Sequence, residues 1–156
     1  MKINVFYNVK IPPAQRKTSL FKAAVSAALG RGAKRGGEIN LVFVSGAEIH
    51  KINKQFLNHD YETDVISFGY PSEPETLSGD IFVCVKTAQK NALLYKQSVL
   101  EELLTYAVHG ALHLAGMDDA AKKERALMDK AAMKIISKIL NAKTKTAQIP
   151  PPAKRK

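Results

Sequence analysis

Ser98-Val99-Leu100-Glu101-Glu102-Leu103-Leu104-Thr105-Tyr106-Ala107-Val108-His109-Gly110-Ala111-Leu112-His113-Leu114-Ala115-Gly116-Met117-Asp118-Asp119 is the stretch on which the reading of this 156-residue chain turns. From Ser98 to Ala115 it has the marks of a core helix. Ser98 and Glu101 stand at capping-box spacing, and Leu100, Leu103, Leu104, Ala107, Val108, Ala111, Leu112 and Ala115 form a wide apolar surface at helical intervals. Gly116 then suits a left-handed helix terminus, because a residue without Cβ reverses the chain at no steric cost. On this helix His109 and His113 lie about one turn apart and point the same way, so their rings can share one metal ion. Asp118 and Asp119, just past the glycine, can return a carboxylate as third ligand, leaving a fourth tetrahedral position for water. An isolated HxxxH pair also fits two histidines satisfied by ordinary hydrogen bonds, and it is the glycine-ended helix and the acidic pair that favour the metal. A metallopeptidase of the HExxH type needs a glutamate after the first histidine; Gly110 stands there and cannot take a proton.

Working outward, strand signals occur at Lys2 to Tyr7, Glu38 to Val44, Val65 to Phe68 and Ile81 to Lys86. Helical patterns fill the intervals. Leu20, Ala23, Ala24, Ala27 and Ala28 make one apolar stripe and Ile49, Ile52 and Phe56 another; Thr87 to Tyr95 and Ala120 to Leu140 complete the set. The order predicts an α+β fold: a mixed sheet of about four strands covered by about five helices, with the metal site on a buried helix of the C-terminal half. Residues 1–140 read as one domain, and 141–156 as a basic, disordered or partly polyproline-like tail, since Thr144, Lys145, Thr146, Gln148 and Pro150-Pro151-Pro152 cannot build a packed face.

The chain is 46% hydrophobic, enough for a core without disulfides. Its single cysteine, Cys84, sits in the apolar run Ile81 to Val85 and is expected to be a buried strand residue. No apolar stretch is long enough to span a bilayer, and the N-terminus lacks the apolar region of a signal peptide, so a cytoplasmic location is expected. The formal net charge of +10 points to a polyanionic partner. Lys143, Lys145, Lys154, Arg155 and Lys156 supply half of it. Arg31, Lys34 and Arg35, in a glycine-rich segment expected to be mobile, are candidate RNA contacts together with Lys54. The alternative is that the charge only keeps a small protein soluble.

The string from His109 to Asp119 resembles the HGxLHLxGxDH signature of the YbeY family, bacterial zinc-dependent endoribonucleases of ribosomal RNA maturation. Ile52-Asn53-Lys54-Gln55-Phe56-Leu57 and Thr63-Asp64-Val65-Ile66-Ser67-Phe68 look like the family's LNxxYR and TDVLSF segments, and Gly79-Asp80-Ile81 like its GDI strand start. The match runs in order from Ile39 to Ala132. It implies a metal-dependent endoribonuclease specific for single strands, acting in 16S rRNA 3′ end processing and ribosome quality control, with one zinc ion per chain. The implied partners are single-stranded or ribosomal RNA and ribosomal small-subunit proteins, with no membrane. A single strand also suits a compact site on a helix better than a regular A-form duplex does.

Two positions depart from the family pattern. Asp119 stands where the signature ends in a third histidine, so the implied ligands are His109, His113 and Asp119, with Asp118 able to exchange roles with its neighbour. A carboxylate lowers the charge of the site by one and makes a bound water less acidic. Leu57 stands where many members carry an arginine associated with catalysis, and a leucine cannot hold phosphate. The catalytic residues are not identified; the candidates are Glu102 as a base behind the metal, Asp64 as a hydrogen-bond partner of a metal-ligating histidine, and Lys54 as a cation in place of the arginine. Asp64 also reads as a turn-fixing residue and Glu102 as a surface or capping carboxylate. His50 and His59 have no ligand spacing, and His59 reads as a solvent-exposed loop residue. These departures leave a second function open, a zinc-containing ribosome- or RNA-binding assembly factor without nuclease activity. A zinc hydrolase of peptides ranks a distant third.

Overall fold

Alternation along one strand sets the layers. In β2 (Glu38–Val44), Ile39, Leu41 and Phe43 face the main core, while Val42 and Val44 face a smaller cluster on the other side. The computed structural model describes residues 1–71 and 73–143, and within them β2 lies inside a four-stranded mixed sheet with β1 (Lys2–Tyr7), β3 (Val65–Tyr70) and β4 (Ser78–Cys84). The order is β1-β2-β4-β3. β1, β2 and β4 are mutually parallel, with Val5 opposite Leu41 and Leu41 opposite Ile81; β3 runs antiparallel to β4, Ser67 opposite Ile81.

Among the described residues five α-helices cover the sheet: α1 (Thr18–Leu29), α2 (Gly46–Leu57), α3 (Val85–Leu94), α4 (Val99–Leu114) and α5 (Lys122–Lys143). Parallel neighbours require a crossover, and α1 supplies the one between β1 and β2 on the main-core face. α2 packs on the opposite face, where Ile49 and Ile52 meet Val42, Val44, Ile66 and Cys84. α4 is the central helix, touching α1, α3, α5, β3 and β4, and Leu103, Leu104, Ala107, Val108 and Ala111 are fully enclosed. α5 closes the fold through Met128, Ala132 and Ile136, buried at four-residue intervals. Cys84 is buried, as expected.

Several expectations are revised. β3 continues to Tyr70, two residues past its expected end at Phe68, because Gly69 and Tyr70 still pair with Gly79 and Ser78. The fourth strand runs from Ser78 to Cys84 instead of Ile81 to Lys86, and α3 begins at Val85. Apolar character alone could not place that boundary, because backbone pairing to β2 and β3 on both sides carries the polar start Ser78-Gly79-Asp80 into the sheet. There Asn4 Nδ2 donates to Asn40 Oδ1 (2.9 Å), Asn40 Nδ2 donates to Asp80 Oδ1 (3.0 Å), and Tyr70 Oη donates to Asp80 Oδ2. The glycine-rich segment expected to be mobile is a 3-10 turn over Gly30–Lys34 followed by tied chain: Arg35 Nη2 donates to the carbonyls of Pro74 (2.9 Å) and Thr76 (2.8 Å), and Leu77 N donates to Gly36 O (2.8 Å). Finally, α5 continues to Lys143, three residues past its expected end at Leu140. Of the expected tail, residues 144–156 lie outside the described residues. Among the described residues no helix is long and apolar enough to cross a membrane.

Candidate functional site

The helix that presents the histidines is capped as its sequence requires. Ser98 Oγ accepts from Glu101 N at 3.1 Å, satisfying one of the orphan donors of the first turn. Gly110 then decides how close the helix lies to the sheet: a Cβ there would stand 2.5 Å from Ile81 Cγ2 and 3.3 Å from Val65 Cγ2. His109 and His113 flank this close approach and line a cavity of about 620 Å³. Its other walls come from α2 (Asn53, Leu57), the loop after it (His59, Tyr61, Thr63, Asp64) and β3 (Val65, Ser67).

At the far end of α4, Gly116 takes φ +103°, and Met117 N donates to Leu112 O at 3.0 Å, the closing bond of a Schellman turn. The reversal brings in the two acids, and the structure gives them different tasks. Asp118 Oδ1 accepts from Asp119 N (2.7 Å) and Ala120 N (3.1 Å), holding the approach to α5. Asp119 instead lines the cavity, its Oδ2 3.2 Å from His113 Nε2. His109 Nε2 lies 3.4 Å from Oδ1 of Asp129, a carboxylate on α5 that the sequence reading did not single out. The sequence signal was slight: Asp129 directly follows buried Met128 and so sits at the edge of the face that packs on α4.

Among the described residues no three His, Cys, Asp or Glu side chains converge as a metal-holding group, so the expected metal site is present only as these two pairs. Each imidazole turns to a separate carboxylate, one on α5 and one on the preceding loop. The donors nonetheless suit zinc. Two neutral imidazole nitrogens and a carboxylate are borderline ligands of the right kind, and 3.2 Å between His113 Nε2 and Asp119 Oδ2 is close to the separation of about 3.3 Å between neighbouring ligands on a tetrahedral ion with bonds of about 2.0–2.1 Å.

The remaining candidates divide. Asp64 lines the cavity, and its Oδ1 accepts from Val65 N at 2.8 Å, so it also shapes the entry to β3. Leu57 lines the cavity. Glu102 is fully buried and does not line the cavity; Tyr106 Oη donates to its Oε1 at 3.0 Å, and Asn91 Nδ2 donates to the same hydroxyl at 2.6 Å. Lys54 is exposed, 4.0 Å from Asp60, outside the cavity lining, as are Arg31, Lys34 and Arg35. Asp60 is held below the usual carboxylate range by its hydrogen bond to His50 and then by the charge of Lys54. Away from the cavity, hydrogen bonding to Asp80 pushes the Tyr70 phenol up to about 12. Sequence reasoning passed over Asn53, Tyr61 and His59 as cavity residues. Asn53 is almost fully buried, and Tyr61 and His59 are exposed but face the same space.

Comparison with known proteins agrees with the motif. The family model for endoribonuclease YbeY matches residues 5–140. An endoribonuclease YbeY from Elusimicrobium minutum is 64% identical over 143 residues, covering 89% of this chain and 100% of the relative. Another from Phocaeicola vulgatus is 39% identical over 132 residues, covering 84% and 93%. The solution structure of TM1509 from Thermotoga maritima aligns over 95% of this chain and 97% of its own with a TM-score of 0.62 and 25% identity. Fold and matches together define a hydrolase that cuts RNA internally. The chain belongs to the YbeY family of endoribonucleases.

Proposed function

We propose that this endoribonuclease is zinc-dependent and specific for single strands, and that it acts in ribosomal RNA maturation at the 3′ end of 16S rRNA and in ribosome quality control. One zinc ion per chain is held by His109, His113 and Asp119. The observation that carries this is the contact of Asp119 Oδ2 with His113 Nε2 in a cavity that His109 also lines. Asp119 is favoured over Asp118 as third ligand because both hydrogen bonds of the Asp118 carboxylate go to backbone N–H groups.

Bound zinc would supply Lewis acidity toward a phosphoryl oxygen and lower the pKa of a water. The chain's own residues do the rest. Gly110 sets α4 against β3 and β4, which fixes where the two imidazoles stand. Asp118 shapes the turn that aims Asp119. Asp64 anchors the strand that forms the opposite wall. Exposed Lys54, Arg31 and Lys34 attract phosphates, whereas Arg35 holds backbone carbonyls. Glu102 orients Tyr106 inside the core and acts on the site only through α4. We take residues 1–140 as one catalytic domain working in the cytoplasm beside small-subunit proteins.

Metal analysis and cleavage of single-stranded RNA by the full chain and by His113→Ala test this reading. We expect one zinc per chain and cleavage, both lost in the variant. Zinc retained without cleavage under any metal condition would replace it with a zinc-containing RNA- or ribosome-binding assembly factor, the reading that Leu57 at the arginine position favours. Absence of metal binding would refute the proposed centre.

A further inference from the structure

We infer that the loop after α2 carries a nucleobase-stacking subsite, the paired rings of His59 and Tyr61, which receives a base of the single strand whose backbone enters the cavity. This rests on the endoribonuclease reading above and adds a specificity element to it.

The two rings lie parallel, with centroids 5.3 Å apart and planes 13° from coplanar, and both line the cavity that holds His109, His113 and Asp119. Tyr61 is 54% exposed, a large flat apolar surface left in water at the mouth of a polar cavity. Its position does not come from core packing. It comes from a loop fastened almost residue by residue to α2. Asn58 adopts φ +57° as the left-handed cap of the helix and donates its N–H to Asn53 O. His59 N donates to the same carbonyl at 3.1 Å, and Asn53 Nδ2 donates to Tyr61 O at 3.0 Å. Between them, Asp60 Oδ1 is 2.6 Å from His50 Nε2. The ring pair is itself joined by a hydrogen bond of 3.1 Å between Tyr61 Oη and His59 Nδ1.

Asn53 has a side chain only 1% exposed, yet it spends its amide on the backbone of this loop. The rings are thus held before any ligand arrives, and little side-chain freedom remains to be lost when one binds. Stacked rings at such a place accept a flat π-system. Successive bases of a single strand offer that surface regardless of sequence, and a base inside a duplex does not, because its faces are covered by neighbouring pairs. Charge agrees with this occupant: the chain carries a net +10, and the one acid between the two rings, Asp60, is paired with His50 and faces Lys54. The platform therefore selects an unpaired strand and fixes which phosphate reaches the histidines.

The test is fluorescence anisotropy on the full chain with a labelled single-stranded RNA and with an abasic strand of the same length and charge, probe integrity being checked on a gel. Wild type, Tyr61→Ala and Tyr61→Phe are compared at one salt concentration. Wild type is expected to prefer the base-bearing strand by about tenfold or more. Tyr61→Ala should lose that preference while binding the abasic strand as wild type does, and Tyr61→Phe should keep it. A purely structural role for Tyr61 would weaken both strands alike. Equal wild-type affinity for the two strands, an undiminished preference in Tyr61→Ala, or its loss in Tyr61→Phe would overturn the platform and leave the endoribonuclease reading intact. If wild type binds neither strand, the RNA reading of the cavity fails, and the platform with it.

Discussion

Replacing Gly110 by alanine tests whether the family's glycine between the histidines is there for packing. The added Cβ would meet Ile81 Cγ2 at 2.5 Å, Val65 Cγ2 at 3.3 Å and Ile81 Cγ1 at 3.4 Å. Ordinary carbon contacts lie at about 3.5–4.0 Å, so the first is short by about 1–1.5 Å. Ile81 is fully buried and β-branched in the interior strand β4, so its methyl cannot swing away without leaving its rotamer or moving the strand. Overpacking of this kind costs about 1–3 kcal/mol, and the upper end applies because two strands are struck at once. Alanine recovers about 1 kcal/mol of helix propensity over glycine. The net expectation is a loss of about 2 kcal/mol, measured as a lower midpoint in urea unfolding with an unchanged slope. The cause is isolated by a double-mutant cycle. Ile81→Ala removes the obstructing methyl, so in that background Gly110→Ala should become neutral or stabilising, although Ile81→Ala alone costs about 2–5 kcal/mol. The same cost for Gly110→Ala in both backgrounds, or a cost below about 0.5 kcal/mol in the wild type, would refute the packing argument.

Other outcomes follow from the same geometry. Asp118→Ala should cost about 1 kcal/mol, since two backbone donors lose their acceptor, and should leave the zinc proposed above bound as in the wild type; Asp119→Ala should do the reverse, and interchanged results would exchange their roles. Leu57→Arg points a cation into the cavity that Leu57 lines, so it should tighten single-stranded RNA binding and steepen the dependence of log K on log salt by about 0.7 per phosphate reached; an unchanged slope would show that the side chain does not reach the strand. Tyr70 should ionise about two pH units above an ordinary tyrosine, near 12, because its hydroxyl donates to the Asp80 carboxylate. The folded state then holds a proton that the unfolded chain releases from about pH 10. This contribution to stability is complete below pH 10 and is lost as pH rises from 10 to 12. Absorbance at 295 nm during alkaline titration should show one late-titrating phenol that is absent in Asp80→Asn.

Much of the fold was legible because its elements carry their own signals. The strand limits Lys2–Tyr7 and Glu38–Val44 were read correctly from alternation, and α4 from its cap, its apolar period and its terminal glycine. The limits of β4 are not legible in the sequence because a strand running straight into a helix shows one continuous apolar stretch, Ile81 to Val85, and only the pairing partners mark where the ladder ends. Arg35 shows the same for charge: sequence alone makes its guanidinium a candidate for phosphate, whereas in the fold it holds carbonyls 39 and 41 residues away. Glu102 lies on the histidine helix at a helical repeat, but it is fully enclosed and does not line the cavity.

Features that rest on neighbours within about one helical turn are written in the sequence: the Ser98 cap, the one-turn spacing that puts His109 and His113 on the same cavity, the reversal at Gly116, and the ordered motifs that place the chain in its family. Tertiary packing sets which of two adjacent acids faces His113, brings Asp129 of α5 to His109, and stands His59 and Tyr61 at the same cavity. It also makes Gly110, whose sequence meaning is a missing base, a packing glycine. The physical reason is common to all four. Periodicity and capping depend on torsions and hydrogen bonds a few residues long, whereas a site is made where elements distant in sequence are pressed together, and that juxtaposition depends on the packing of the whole core.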